Sequence, residues 1–430
     1  MPVIPKQLAL AVTLALLATN THARGDMGPD SERLTTSKKG HHHPAPLKPV
    51  KGFYFTDHAT SRNGLSAARV LDAAVKHVFE SGKLSDWEKY QLGNVGRELG
   101  NLEPGRLGAV LEQLAASQNA NLASATQNSQ QQLTASLLAA MRQLSDNPGD
   151  DSRFWLQGLG NSGHLDEQYG SAGLKQRTQG LLLGGDWAVD HAWRIGVTGG
   201  KSDSNLSAKR FKGSIDSWHL GGYAVRQDGP VALRLGAFYS SHSGENNRTV
   251  DFDVVNYQEQ LKSQYTASSQ NVFAEMGYPL DHGGVRTEPF ASLGYQRYHR
   301  DRYQEKGGIA ALDVREQTQQ NLSSTFGVRL TSAVALDNQM SLQPHVSASW
   351  KHLYGDVNSS VRQSSAWADK ANFHSDFTVQ GTPLDRNSLA LRTGLDLALS
   401  AQHTVGLTYT AATGTHSHNQ GLTGQWTMAF

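Results

Sequence analysis

Residues 421–430 read GLTGQWTMAF, with Leu422, Gly424, Trp426, Met428 and Phe430 alternating with Thr423, Gln425, Thr427 and Ala429. Successive side chains of a strand point to opposite faces, so this stretch has one apolar and one small polar face. It ends on an aromatic, Phe430, as the closing strand of an outer-membrane β-barrel does. The rest of the chain decides whether such a barrel exists.

Upstream of this strand the same period recurs. Leu389, Leu391, Leu395, Leu397 and Leu399 oppose Ala390, Arg392, Gly394, Asp396 and Ala398. Phe326, Val328, Leu330 and Val334 oppose Gly327, Arg329 and Thr331, and Val231, Leu233, Leu235, Ala237 and Tyr239 oppose Arg234, Gly236 and Ser240. Leu181, Leu183, Gly185, Trp187 and Val189 oppose Gly180, Gly184, Asp186 and Ala188, with Leu182 out of pattern. A face with Arg or Asp every few residues cannot be the dry core of a soluble sandwich. It can line a water-filled lumen while the aliphatic face meets lipid.

Twelve strands are predicted, near 153–163, 177–189, 192–204, 214–227, 231–242, 268–280, 286–298, 321–335, 339–351, 386–400, 403–413 and 419–430. Short turns at 190–191, 228–230, 281–284, 337–338 and 401–402 alternate with longer polar loops, notably 243–267, 299–320 and 352–385. Outer-membrane barrels have short periplasmic turns, long external loops and an even strand number. The expected fold is an all-β membrane barrel, antiparallel, with an N-terminal α-helical linker threaded through its pore.

Residues 1–23 carry Lys6, the apolar run LALAVTLALLA at 8–18 and a small-residue site ending at Ala23. This reads as a secretory signal peptide cleaved after Ala23. The 430-residue chain has 43 Gly, 18% charged residues, a net charge of +1 and no Cys. Its mean hydropathy is −0.48, since alternating faces average out. The charge gives no case for nucleic acid, and the missing Cys excludes disulfides, thiolate metal sites and a cysteine nucleophile.

A turn-rich break at 146–151 (DNPGDD) separates the strands from a helical half. Apolar residues from Leu65 to Phe79 recur at helical spacing, Gly82 interrupts, 87–99 continues the helical pattern, and one long helix is expected over 103–144. That helix has no charge between Glu112 and Arg142, being filled by Ala, Ser, Thr, Gln, Asn and Leu. A polar tube suits it, and forty helical residues would reach about 60 Å. A soluble Ala/Gln-rich helix or linker is the plainer reading.

Together with 61–74 (SRNGLSAARVLDAA), 107–114 (LGAVLEQL), 120–129 and 154–160 (FWLQGLG), this layout resembles a type V secretion autotransporter translocator. The resemblance implies insertion into outer-membrane lipid through the barrel-assembly machinery, with periplasmic chaperones as earlier partners. It also implies a monomeric barrel, outward threading of the N-terminal passenger and display at the Gram-negative cell surface. Trp426, Met428 and Phe430 would be the assembly signal. The expected domains are the signal peptide, a short unfolded passenger over 24–60, a helical junction and pore helix over 61–150, and the barrel over 151–430. No large passenger, repeat or hydrolase motif is apparent, so the expected chain is a non-enzymatic translocator with little cargo and no cofactor.

Other features have modest readings. His41, His42 and His43 form a weak metal candidate, lacking the spacing that surrounds one ion. Residues 24–26 (RGD) read as a solvated tail. Arg234, Arg329 and Arg392 would face the lumen as a contact surface for the helix or a passing chain, or as ordinary polar lining paired with Asp186, Asp396 and Glu275. The rival functions are a porin-like channel and a barrel-borne hydrolase using the loop residues His242, Asp251, Asp253, His299, Asp301, His374 and Asp376. A self-cleavage site within 119–128 is a further candidate, with no acidic partner assignable.

Overall fold

The computed structural model describes residues 54–80, 103–143, 152–252, 257–308, 310–336, 340–366 and 375–430. Twelve of its strands form the barrel: β1 (Ser152–Leu165), β2 (Leu174–Ala188), β3 (Trp193–Ala208), β4 (Phe211–Asp228), β5 (Val231–Phe252), β6 (Tyr257–Gly277), β7 (Val285–Arg300), β8 (Gln317–Ser332), β9 (Ser341–Tyr354), β10 (Asn387–Ala398), β11 (His403–Gly414) and β12 (Ser417–Ala429). Each pairs antiparallel with its sequence neighbours, and β12 pairs with β1, so the sheet closes without an edge. Closure is what lets strands cross lipid with every backbone group paired.

The alternation sorts side chains as the sequence predicts. Leu181 and Leu183 point outward while Leu182 is fully buried inside, and Trp218 and Leu220 are 66% and 70% exposed on the outer face. Phe326, Val328, Leu330, Leu389, Leu391 and Leu395 likewise lie outside. An apolar belt of this extent is stable against acyl chains and would aggregate in water. No described helix is long and apolar enough to cross a membrane; the apolar belt is carried by the strands.

All three predicted long loops contain strand structure. Much of 243–267 is strand, because β5 and β6 continue as a hairpin of 22 and 21 residues beyond the belt. Parts of 299–320 and 352–385 form a four-stranded sheet from Phe377–Gln380, Ser360–Ser365, Leu312–Val314 and Tyr303–Gln304. This sheet sits over the barrel end that carries the long loops.

The helical half is α1 (Arg62–Glu80), α2 (Pro104–Ala115) and α3 (Gln118–Gln143), preceded by a 3₁₀ turn at Phe55–His58. The expected continuous helix over 103–144 is therefore corrected to two. Ala116 takes a left-handed conformation (φ 49°, ψ 43°) and breaks the run. The pore helix is α3 alone, 26 residues or about 39 Å at 1.5 Å per residue. The helical pattern read over 87–99 lies outside the described residues.

Candidate functional site

The site is the lumen and the helix inside it. Its outer end is held by amides and hydroxyls. Gln118 donates to the Ala172 carbonyl (2.6 Å), Asn121 donates to Ser171 Oγ (2.8 Å), and the Thr382 backbone N–H donates to Asn121 Oδ1 (2.7 Å). Gln363 of the loop sheet hydrogen-bonds Asn119 and the Ala115 carbonyl, and Ser359 reaches the Ala120 carbonyl. Asn63 of α1 makes a reciprocal pair with the Gln380 backbone (2.7 and 2.8 Å), so α1 docks on the same sheet. Ala120, Ala123, Leu165, Phe211, Tyr265, Tyr298, Tyr303 and Val361 pack together beneath and make an apolar cap. Burial in that cap pushes the Tyr303 phenol well above its ordinary value, keeping it neutral.

At mid-height α3 presents glutamines. Gln127 Oε1 accepts from Asn321 (3.1 Å), and Gln130 Oε1 accepts from Asn271 (3.1 Å) and Ser240 (3.3 Å). His219 and His242 stand behind them. His242 contacts Ser217 and Ser269, and His219 contacts Ser202 and Ser240, all at 2.8 Å. The amide-rich sequence thus has a reason: each amide meets a buried polar wall that would otherwise be unsatisfied.

The lower half is more apolar than a wet lumen predicts. Leu133, Leu137, Leu138 and Met141 pack on Trp155, Leu159, Leu182, Tyr223, Phe238 and Phe273. These rings lie flat over glycines of the neighbouring strand. A Cβ at Gly184 would overlap the Trp155 ring and one at Gly236 the Phe273 ring. The flattened wall leaves room for the helix.

Two charged networks fix the inner end. Arg142, in the last turn of α3, makes a bidentate pair with Glu275 (2.6 and 3.1 Å). Arg234 bonds Glu275 (3.2 Å) and Glu288 (2.7 Å), and Arg329 bonds Glu288 (2.8 Å) and approaches Glu275 (3.5 Å). In the second network Arg153 donates to the Ala140 carbonyl and to Asp186, both at 2.9 Å. Asp186 also accepts from Tyr223 (2.7 Å) and Arg194 (3.1 Å), while Trp155 Nε1 donates to Tyr223 (2.7 Å). Arginines at a helix C-terminus satisfy free carbonyls and oppose the helix dipole.

The helix lies against one wall. On its other side runs a cleft lined by Arg142, Lys351, Arg392, Thr410 and Asn419, continuing into a second one near Arg286, His345 and Asp396.

The predicted lumen residues come together unevenly. Arg234 and Arg329 share Glu275, with Glu288 as a partner the sequence reading missed. Asp186 and Asp396, expected to pair with these arginines, do not: Asp186 serves Arg153 and Arg194, and Asp396 accepts from Gln425 (2.9 Å) and Gln143 (3.2 Å) and lies 3.3 Å from His345. Arg392 lines the cleft. Charged residues on a lumenal face were visible in sequence, but which strand faces which residue of α3 was not. Trp426 is half-buried outside, stacked on His403 (5.9 Å) and edge-on to Phe154 (6.1 Å); Met428 is half-buried beside it. Phe430 exchanges backbone hydrogen bonds with Ser152 (3.0 and 3.1 Å), at the seam.

The loop groups proposed for hydrolysis are scattered. His242 is a buried lumen residue of β5, corrected from a loop position. The Asp251 backbone N–H donates to Gln113 Oε1 (2.8 Å) and its carboxylate lies 4.0 Å from Arg210, Asp376 pairs with Arg362, and His299 lies 3.4 Å from Asp301, bonded to Thr318 and with Ser268 opposite it in the ladder. Asn119 and Asn121, in the candidate self-cleavage region, contact only amide, hydroxyl and backbone partners. Among the described residues no three His, Cys, Asp or Glu side chains gather as metal ligands. Ala23, the 24–26 tripeptide, His41, His42, His43, Asp253 and His374 lie outside the described residues.

Residues 154–410 match the family model described as autotransporter beta-domain. Two extracellular serine proteases of Serratia marcescens are 29% and 30% identical over 304 residues, 69% of this chain and 28% of each relative. The chain thus spans under a third of the relatives it matches. The translocator domain of autotransporter NalP from Neisseria meningitidis superposes with a TM-score of 0.54 at 16% identity, over 70% of this chain and 98% of that one. With a closed twelve-stranded barrel, an internal helix and a family match over more than half its length, this chain belongs to the autotransporter β-domain family, the outer-membrane translocators of Gram-negative cells.

Proposed function

We propose that the barrel exports the chain preceding α1 and displays it at the cell surface, that α3 then remains as a plug, and that no reaction is catalysed. The observation carrying this reading is the polarity of α3. Its Gln118 end meets the long-loop side and its Gln143 end meets the short-turn side. Whatever precedes α1 therefore leaves from the external face. The protease activity named for the Serratia relatives is theirs, and most of their length has no counterpart here. Direct partners would be outer-membrane lipid and, during biogenesis, periplasmic chaperones and the assembly machinery, the last reading Trp426, Met428 and Phe430.

Two experiments test this. An epitope near His43 should be cleaved by protease added to intact cells; protection would overturn the proposed display. Single-channel conductance should rise several-fold when 105–145 are deleted, and an unchanged value would overturn the plug.

A further inference from the structure

The outer surface of the barrel carries a groove that the export reading leaves unused. Its course follows the hydrogen-bond register. Phe326 pairs with Trp350 and Trp350 with Leu389, all three large, outward-facing and in the apolar belt. Leu389 then pairs with Thr413, Thr413 with His418, His418 with His164 and His164 with Lys175. One pleat away, Val328 and Leu391 begin a parallel row that ends at Gln420 and Arg177. Between these ends that row carries only Ala348, Ala411 and Ser162, and these small side chains form the groove floor.

Because barrel strands tilt, a row of paired residues climbs as it goes round. Here it climbs from lipid depth to the outer rim: His164, Lys175 and His418 are each one residue from the loop end of their strands. The groove is therefore apolar at one end and basic at the other. Among the described residues neither Lys175 nor Arg177 makes an ion pair, and both are exposed. His418 bonds Thr413 (2.8 Å), and His164 lies 3.5 Å from the Asp166 carboxylate.

We propose that this groove binds one phosphorylated, acylated glycolipid of the outer leaflet, the lipid A part of lipopolysaccharide. Acyl chains lie along Phe326, Val328, Trp350, Leu389 and Leu391, and a phosphate meets Lys175 and Arg177. Charge complementarity favours this occupant: the basic pair stands at headgroup height, where a phosphate is the ligand on offer. Phosphate recognition by Lys and Arg, with the aliphatic stems reaching along the surface, is the expected chemistry.

The test is binding of lipid A to the full chain purified in detergent, read by native mass spectrometry. Diphosphoryl lipid A should bind at least about tenfold more tightly than its dephosphorylated form or phosphatidylglycerol. The pair Lys175→Glu with Arg177→Glu should remove that preference, as should Lys175→Gln with Arg177→Gln, which lacks the added negative charge. Heat-modifiable migration on gels identifies folded protein in each case. Equal binding of the three lipids by the unaltered protein, or an unchanged preference in a folded variant, would overturn the proposal.

Discussion

Glu275 receives guanidinium groups from Arg142 on the helix and from Arg234 and Arg329 on the wall, and its side chain is 1% exposed. Replacing it by Gln leaves the buried Arg234 and Arg329 sharing Glu288 and removes the carboxylate that half-buried Arg142 bonds. Uncompensated buried charge costs about 3–5 kcal/mol, so Glu275→Gln should lower the unfolding midpoint and increase transient openings of the pore. Unchanged values for both would mean that water in the adjoining cleft solvates the arginines. Asp190 illustrates a charge that sits outside the barrel wall. Its carboxylate accepts the backbone N–H groups of Ala192 and Trp193 (both 2.8 Å), which hold its pKa below the ordinary value. A depressed carboxyl stabilises the turn above its unfolded pKa and loses that contribution as pH falls through the folded one. The protection of the Trp193 amide relative to a free peptide at the same pH should therefore fall only in acid, below about pH 4, and Asp190→Ala should lower it at neutral pH. The identity of such residues was legible. Glu288 and Arg153 were missed because a charged residue in a period-two strand shows only that it faces the lumen, never what crosses the lumen to meet it.

At the scale of elements, α3 combines an amide-lined upper half with an apolar lower half, and each needs a different wall. Leu137 is fully buried against the aromatic wall, so Leu137→Ala should cost about 2–5 kcal/mol and loosen the plug, seen as noisier current. The break at Ala116 is where expectation and structure part. An Ala-rich stretch has every local reason to stay helical, yet the chain must turn from the loop sheet into the pore. A non-glycine residue in the left-handed region carries strain, and Ala116→Gly should raise stability by up to about 1 kcal/mol. Asparagine self-cleavage needs a free amide and an acid to polarise the carbonyl. The amides of Asn119 and Asn121 are engaged with neutral groups, so a surface-labelled chain should show no cut at either residue; a band cut at Asn119 or Asn121 would contradict this.

For the whole molecule, the seam between β1 and β12 is the decisive contact. Thirteen register pairs run from Arg153 to Leu165 on β1, and Phe430 extends the closure with its hydrogen bonds to Ser152. Removing Phe430 should reduce the amount of inserted barrel, measured by heat-modifiable migration, with little effect on barrels already folded. The twelve strands, their in-out alternation and the short-turn and long-loop sides were all legible from the sequence, because lipid on one face and a polar lumen on the other impose a period of two on every strand. Leu182, out of pattern in the sequence, turns inward to the aromatic wall that receives α3. Several things were not legible: the break at Ala116, the loop sheet that caps the mouth, the pairing of Arg142 with Glu275, and the outer groove that climbs from Phe326 to Lys175. Each depends on which residues closure and strand tilt bring together across tens to hundreds of positions. Local alternation is a property of each strand and can be read along it, whereas contacts across the lumen and around the barrel exist only once the sheet has closed.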